Sequence, residues 1–360
     1  MVFILSILSF NSTIYIVSVP EAANDDDLEL ERQLKIMNKP PIKTFVTKEG
    51  DIIDCIDINK QPALDHPLLK NHRVQVEPKL NFNGFGKSSP NTKSVQFGSR
   101  EPCPVGTVPI PRVVSLKDNL NFVIKFGCHG TTSVYKLTVA QGQSSSHNMW
   151  IQAGPTDHIS MIIAGWMVSP RLYGDAVSRL FTYWTGNGFR DGCFNILCPG
   201  FVQVDREVTT NYPLHPTSTY GGPQYVLGIR VDQDNTTGNW WLLCDGDQPV
   251  KVGYWPKELF LNLRNGAEYT AWGGIGLADS NGVCPPMGSG HKPDGNYRHA
   301  AFFEKLQSVC GTPGGNASPP SVVTSEWVDK SNVYGFKNDH FVEGMGYTIN
   351  YGGPGGSCRG

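Results

Sequence analysis

The feature that most constrains this chain is a long series of short β-forming runs that starts at about residue 125. The runs are rich in β-branched and aromatic residues, and turn-forming pairs such as Asn187-Gly188 and Asn281-Gly282 separate them. Short strands at this spacing are typical of an all-β sandwich or barrel. The sequence predicts strands over 134–140, 159–168, 180–185, 225–231, 240–243, 250–255, 269–272, 301–309 and 347–351.

The first third of the chain has a different texture. Proline recurs throughout residues 38–112, and residues 83–101 are rich in Gly, Ser and other polar residues. This predicts a mixed N-terminal segment and a linker, with the main boundary between 85 and 125. The 360 residues carry a net charge of −2 without a basic stripe, which argues against nucleic acid as a partner.

An apolar run over residues 2–19 precedes Ala22 and Ala23, small residues that suit signal-peptidase cleavage. We interpret residues 1–23 as a secretory signal peptide. Neither Lys nor Arg stands near Met1, so a mistaken gene start is the alternative. No later segment has 18 uninterrupted apolar residues, and we therefore expect no membrane contact after signal removal.

The nine cysteines are too dispersed for a zinc signature, since the sequence has no Cys-x2-Cys pair, and we predict no metal. In a secreted chain they indicate disulfides, with one thiol left over from the odd count. Cys193 and Cys198 are close enough for a local disulfide, and Cys55 and Cys103 are able to staple the N-terminal segment. Asn235 and Asn316 begin glycosylation sequons.

Common catalytic motifs are absent from the sequence, which has no Gly-x-Ser-x-Gly, P-loop, dinucleotide fingerprint or His-Glu-x-x-His. Isolated acids such as Asp157, Asp175 and Glu268 are more typical of exposed or turn carboxylates than of a catalytic pair. We predict no cofactor.

Several ordered segments resemble the neprosin-type proteins of plants. In the N-terminal part they are 54–57 (DCID), 61–72 (QPALDHPLLKNH) and 103–112 (CPVGTVPIPR). Downstream they are 164–175 (AGWMVSPRLYGD), 180–185 (LFTYWT), 192–203 (GCFNILCPGFVQ), 238–242 (GNWWL), 252–256 (VGYWP), 287–291 (MGSGH) and 351–355 (YGGPG). The resemblance implies that residues 24–112 are an activation-peptide-like pro-segment and linker, and that residues 113–360 are a neprosin domain.

The resemblance also implies a fold and an activity. The family is one of secreted zymogens with an all-β, antiparallel β-sandwich, and its active members are glutamic endopeptidases that cleave beside proline at acid pH. That chemistry needs two carboxylates across a groove. In the family one Glu precedes Ala-Gly-Trp and another follows Trp-Gly-Gly, and here Ile163 and Ile275 occupy those positions. Ala271, another position where relatives often carry Glu, is also apolar.

We therefore expect a noncatalytic relative of proline-directed glutamic endopeptidases. The alternative is an active acid endopeptidase that uses displaced carboxylates, for which Glu268 and Asp175 are the candidates. Glu268 lies seven residues from Ile275, so in a continuous strand it faces the opposite side unless a bulge intervenes.

Our second expectation is a binding groove that lacks the catalytic carboxylates but keeps exposed aromatic side chains. Flat aromatic faces can bind proline rings and sugars. The groove candidates are Trp166, Tyr183, Trp184 and Trp272, and the competing interpretation is that all four are core. The expected partners are proline-rich peptides or glycans of the cell wall or apoplast, together with the chain's own pro-segment.

The last cysteine departs from the family pattern, because the family's Ser-Asn-Cys-Tyr segment appears here as SNVY at residues 331–334. Cys358 thus lacks its expected partner, and Cys284 and Cys310 are the possible substitutes. The partners of Cys128 and Cys244 stay open.

Overall fold

A computed structural model describes residues 39–48, 51–80, 89, 91–97, 101–111, 124–155, 158–245, 248–320 and 326–358. The predicted signal peptide, 1–23, lies outside the described residues, as does much of the predicted linker. None of the helices in the described part of the chain is long and apolar enough to span a membrane.

The N-terminal segment, by which we mean the described residues between 39 and 111, contains four short strands. They are β1 (Lys43–Val46), β2 (Ile52–Asp57), β3 (Lys93–Ser94) and β4 (Thr107–Pro111). Two 3-10 turns, Pro62–Asp65 and Pro67–Leu69, lie between β2 and β3, each with proline where a helical turn tolerates it best.

In the rest of the described chain, the regular secondary structure is almost entirely β-strand. Its first half contains β5 (Lys125–Ser133), β6 (Ser144–Ala153), β7 (Ser160–Val168), the single α-helical turn α1 (Pro170–Tyr173), β8 (Arg179–Thr185), β9 (Cys193–Phe194), β10 (Val202–Gln203) and β11 (Tyr225–Gln233). The second half contains β12 (Trp240–Cys244), β13 (Val250–Trp255), the 3-10 turn Lys257–Leu259, β14 (Tyr269–Leu277), β15 (Val283–Cys284), β16 (Ala301–Cys310), β17 (Ala317–Ser318), β18 (Gly335–Val342), β19 (Gly346–Gly352) and β20 (Gly356–Ser357).

Two antiparallel sheets form the body of the molecule. The small sheet has the order β14-β6-β7-β8-β9, and the large sheet has the order β10-β13-β12-β11-β5-β16-β19-β18 with β17 and β3 attached at its sides. Among the strands that the structure describes, β3 alone pairs in parallel, with β11. The predicted all-β class with antiparallel sheets is confirmed.

The core lies between the two sheets because alternate residues of each strand face the other sheet. From the small sheet it contains Ile162, Ala164, Trp166 and Trp184, and from the large sheet Ile229, Val231, Trp240 and Leu242. The predicted strands in this region are present, with one exception. Residues 134–140 form no strand, only a bridge from Tyr135 to Ser218, and the strands there are β5 and β6.

The N-terminal segment covers part of the outer face of the large sheet. Ala63 packs in a cluster with Val202, Trp241, Leu243 and Tyr254, which alternate with the residues that face the core. The backbone amide of Gln75 donates to the Tyr254 hydroxyl at 2.8 Å. The segment is thus an intramolecular partner of the sandwich, as the sequence predicts.

Three disulfides are present. Cys55 is bonded to Cys103 and Cys193 to Cys198, as expected, and Cys284 is the partner of Cys358. The expectation of a single leftover thiol is wrong, because Cys128, Cys244 and Cys310 all remain thiols. Cys128 and Cys244 are buried on core-facing positions of β5 and β12, where burial raises the pKa of both thiols and keeps them protonated.

Candidate functional site

Ile163 lies at the centre of the small sheet and faces away from the large one. It pairs with Trp150 on β6 and with Tyr183 on β8. Its neighbours in sequence, Ile162 and Ala164, face the core, so alternation turns Ile163 to the outer face. There it packs in an apolar cluster and is only 4% exposed.

The register of β14 on β6 decides which second position faces Ile163. Ala271 pairs with Trp150, whereas Ile275 pairs with Ser146. Ala271, Trp150, Ile163 and Tyr183 therefore form one row across the outer face, which we call the Ile163 row. Ile275 belongs to a parallel row that lies four residues further along the strands.

Strand geometry converts these registers into distances. Two strand spacings separate Ile163 from Ala271, or about 10 Å between Cα atoms, and four residues of rise increase the separation of Ile163 from Ile275 to about 17 Å. Long side chains at 163 and 271 can approach one water from opposite sides, but side chains at 163 and 275 cannot. In this register Ala271, rather than Ile275, is the position opposite Ile163.

Two buried amide side chains flank this row on β6, and the sequence analysis missed both. Asn148 and Gln152 lie on the same face as Trp150, and the Oδ1 of Asn148 and the Nε2 of Gln152 have no hydrogen-bond partner among the described residues. Asn148 lies against Gly165, where a Cβ would come within 1.9 Å of the His147 carbonyl oxygen, so only glycine fits. Amides do not ionise at ordinary pH, and they supply hydrogen bonds but no general base.

The two candidate displaced carboxylates, Glu268 and Asp175, are engaged in contacts away from the Ile163 row. Glu268 precedes β14, alternates to the opposite face, and accepts a hydrogen bond from the Gly154 amide at 2.8 Å. Asp175 pairs with Arg179 at 2.5 Å, and Asp51 of the N-terminal segment pairs with the same guanidinium at 2.6 Å. Neither acid is placed to serve the Ile163 row.

The expected aromatic groove does not form from the four candidates. Trp166 and Trp184 face the core and are almost fully buried. Tyr183 faces outward, but Phe194 covers it with a ring separation of 5.0 Å. Trp272 points between the sheets, is half-buried, and donates its indole N–H to the His129 carbonyl at 2.9 Å. Strand alternation and the covering loop place Trp166, Tyr183 and Trp184 in packed interiors, whereas Trp272 keeps partial exposure.

A single loop covers part of the outer face of the small sheet. The disulfide between Cys193 and Cys198 closes the loop that carries Phe194, whose ring contacts both Phe181 and Tyr183. Trp150 keeps partial exposure beside this cover. Trp150 is the partly exposed aromatic of the Ile163 row.

A buried carboxyl group, that of Glu304, lies at the contact between the large sheet and the N-terminal segment. Glu304 on β16 is fully buried, and Ser89 and Thr92 donate their hydroxyls to it. Burial raises the pKa of Glu304 above its ordinary value, although the Ser89 and Thr92 contacts oppose that shift. Among the described residues, no group of three or more His, Cys, Asp or Glu side chains is placed to hold a metal ion.

The glycosylation candidates are accessible. Asn235 and Asn316 are both exposed, in turns at the edges of the large sheet. Their modification remains a prediction.

Two family models match this chain. The Neprosin family model matches residues 141–354, and the Neprosin activation peptide model matches residues 44–153. Among solved structures, the chain is similar to scytalido-glutamic peptidase with a transition state analog inhibitor. That match has 12% sequence identity and a TM-score of 0.35, and it covers 64% of this chain and 94% of that chain.

Proposed function

Because this chain belongs to the neprosin family, we propose that it is a secreted, noncatalytic relative of the family's glutamic endopeptidases. The Ile163 row supports this proposal most directly. Neither Ile163 nor Ala271 can accept a proton, and Trp150 between them has no ionisable group. A peptidase that activates water needs such a group, and loss of a general base alone costs about 10² to 10⁴ in rate.

The active-enzyme alternative requires a carboxylate on the outer face of the small sheet. The geometry of Glu268 and Asp175 does not favour it, since one faces the other side and the other neutralises Arg179. Hydrocarbon at position 163 also keeps water away from the row, because Ile163 is buried in an apolar cluster.

The test is a peptidase assay of the secreted protein between about pH 2 and pH 6. We expect no cleavage of a proline-containing peptide, either by the intact chain or after limited proteolysis of its N-terminal segment. The same peptide with alanine in place of proline is the matched substrate. Turnover that Glu268→Gln or Asp175→Asn abolishes would overturn the proposal and identify the displaced acid.

We also propose that the N-terminal segment stays attached to the sandwich. Its removal would expose Trp241 and Tyr254 to water and leave the Glu304 carboxyl without Ser89 and Thr92. Size-exclusion chromatography of the secreted protein should recover the segment with the sandwich even after the connecting chain is cut. A folded, soluble sandwich that elutes without the segment would contradict this.

A binding role is the second candidate function, and Trp150 is the residue that favours it. The ring is partly exposed between two positions with small or apolar side chains, and Gly273 lies alongside it. Such a face suits a proline ring of an extended chain. Trp150→Ala should abolish binding of a polyproline peptide, whereas Trp327→Ala, an exposed tryptophan elsewhere, should not.

Secretion is supported by the three disulfides, which are typical of oxidising compartments. We propose the cell wall or apoplast as the destination. Glycosylation at Asn235 and Asn316 would accompany this route, and glycosidase treatment of the secreted protein tests it by mass.

A further inference from the structure

A cavity of about 170 Å³ opens on the outer face of the large sheet. Strands β5, β11 and β16 and the β18–β19 hairpin contribute its walls, which include His129, Arg230, Asp245, Lys305, Phe341 and Tyr347. His129 and Arg230 are cross-strand partners that alternate with the core residues Cys128 and Val231. The cavity therefore lies on the opposite side of the sandwich from the Ile163 row.

A buried charge network fixes one wall of the cavity. Asp232 accepts from His129 Nε2 at 2.7 Å and from Arg230 Nε and Nη2 at 3.1 and 2.8 Å. Burial opposes the ionisation of Asp232, but the contacts with His129 and Arg230 hold its pKa below the ordinary value. Asp232 is thus ionised and holds the Arg230 guanidinium in a fixed orientation at the cavity.

A β-bulge brings a second cation to the same cavity. The register of β16 on β5 shifts between Glu304 and Gln307, and Lys305 within the bulge has a φ of 53°. Non-glycine residues rarely adopt this left-handed conformation, and its amide is held by a 2.8 Å hydrogen bond to the Met345 carbonyl. Bulges commonly redirect a side chain, and this one places Lys305 in the cavity lining.

Aromatic side chains complete the lining. Tyr347 lies in the cavity wall and Phe341 at its mouth, where 74% of Phe341 is exposed. The volume is smaller than the roughly 300 Å³ of a drug-sized pocket, so the ligand must be small.

We propose that this cavity binds one sugar-sized carboxylate, a uronate unit, independently of whether the Ile163 row is catalytic. Arg230 and Lys305 provide the positive charge that a carboxylate needs. The rings of Tyr347 and Phe341 provide flat apolar faces for the carbon skeleton of a sugar. Gln307 and Asp245 supply hydrogen-bonding groups for its hydroxyls.

Asp245 makes the binding depend on pH. Burial raises the pKa of Asp245 to about 6, against the opposing effect of Arg230, Lys305 and His129, which face it from β11, β16 and β5. Below this pKa the Asp245 carboxyl is neutral. The remaining anionic group beside the ligand is Asp232, whose charge is balanced by Arg230. Affinity for a carboxylate should therefore rise as the pH falls from about 7.5 to about 5.

The experiment is calorimetric titration of the full-length secreted protein with galacturonate, with galactose and inorganic phosphate as comparison ligands. We expect a dissociation constant of about 1 mM for galacturonate at pH 5, the range for a ligand of this size. Affinity at pH 7.5 should be about tenfold weaker, because one negative charge returns to the cavity. Galactose should not bind.

Two variants and a control link the binding to this cavity. Asn tolerates the left-handed backbone at position 305, so Lys305→Asn removes the charge without straining the chain. This variant should weaken binding about fivefold. Phe341→Ala, at an exposed position that folding does not need, should also weaken it. Lys60→Gln removes an exposed charge elsewhere and should have no effect. Absence of galacturonate binding by the folded protein, equal binding of phosphate or galactose, or indifference to both cavity variants would each overturn the proposal.

Discussion

Ile163 and Ala271 lie in one row of the small sheet, on either side of Trp150. Their Cα atoms are about 10 Å apart, a separation from which two long acidic side chains can hold one water between them. The sheet thus retains the spacing that a carboxylate pair needs while both side chains are hydrocarbon.

Acidic residues restored at this pair should therefore act together. The variant Ile163→Glu with Ala271→Glu is expected to cleave a proline-containing peptide at acid pH about 10² faster than either single variant. Burial of two carboxyl groups will cost several kcal/mol at neutral pH and less below about pH 4, where both are protonated. Peptidase rates and thermal unfolding should be measured on the same samples.

The matched control is Ile163→Glu with Ile275→Glu, which introduces the same charges about 17 Å apart. It should remain inactive. Equal activity of the two double variants would contradict the register argument, and inactivity of a well-folded Ile163→Glu with Ala271→Glu variant would contradict the retained spacing.

The disulfides should contribute unequally to stability. Cys55 and Cys103 are 48 residues apart and Cys193 and Cys198 only 5 apart. In the chain-entropy description the longer loop is worth about 4 kcal/mol and the shorter about 2 kcal/mol. Denaturation of the two double Cys→Ala variants should reproduce this order. A larger loss from the Cys193–Cys198 pair would mean that its role in holding Phe194 outweighs loop entropy.

Glu304 should make the protein more stable in acid. Its pKa is raised in the folded state, so its contribution to stability is fully present below the ordinary carboxyl pKa and is lost as pH rises through the folded-state value. Glu304→Gln keeps the size of the side chain and should raise the stability of the protein at pH 7, with little change at pH 4.

Thermal unfolding at both pH values measures this difference. Glu343→Gln, which removes an exposed carboxylate, is the control and should change neither value. A Glu304→Gln protein that is less stable at pH 7 would indicate an ionised Glu304 held by its hydroxyl partners.

Arg179 should be the most sensitive basic residue of the small sheet. It is fully buried and pairs with Asp51 and Asp175, so Arg179→Gln leaves two acids without their cation. Removal of one member of a buried ion pair costs about 3 kcal/mol or more. Arg190→Gln, at an exposed arginine, should cost less than about 0.5 kcal/mol. Similar denaturation midpoints for the two variants would contradict the assignment.

Much of the fold could be predicted from residue patterns, and the exceptions have a common cause. The runs that became β7, β8, β11 and β13 are rich in apolar residues on both faces, because other elements cover both sides. The strand β6 was missed because both of its faces carry polar residues, among them Ser145, Ser146 and His147, so apolar and polar residues do not alternate there. The strand prediction for residues 134–140 was wrong because an apolar run alone does not distinguish a buried strand from a packed loop.

The candidate site was predictable in part. Resemblance located position 163, but the position that faces it depends on the register between β6 and β14, which two separate stretches of sequence do not reveal. The aromatic residues failed as groove candidates for a related reason. The sequence around Trp166 and Trp184 does not show whether these side chains line a surface or fill a core. The answer depends on which face of their strands packs against the other sheet.

The order of strands in the large sheet determines when the protein can finish folding. β5 lies between β11 and β16, and β16 leaves the ribosome long after β5. At ordinary translation speed the chain between them takes roughly 10 to 30 seconds to synthesise. During that interval one edge of β5 is unpaired and open to other chains, so this edge needs protection until the last sixth of the polypeptide, which begins with β16, has been synthesised.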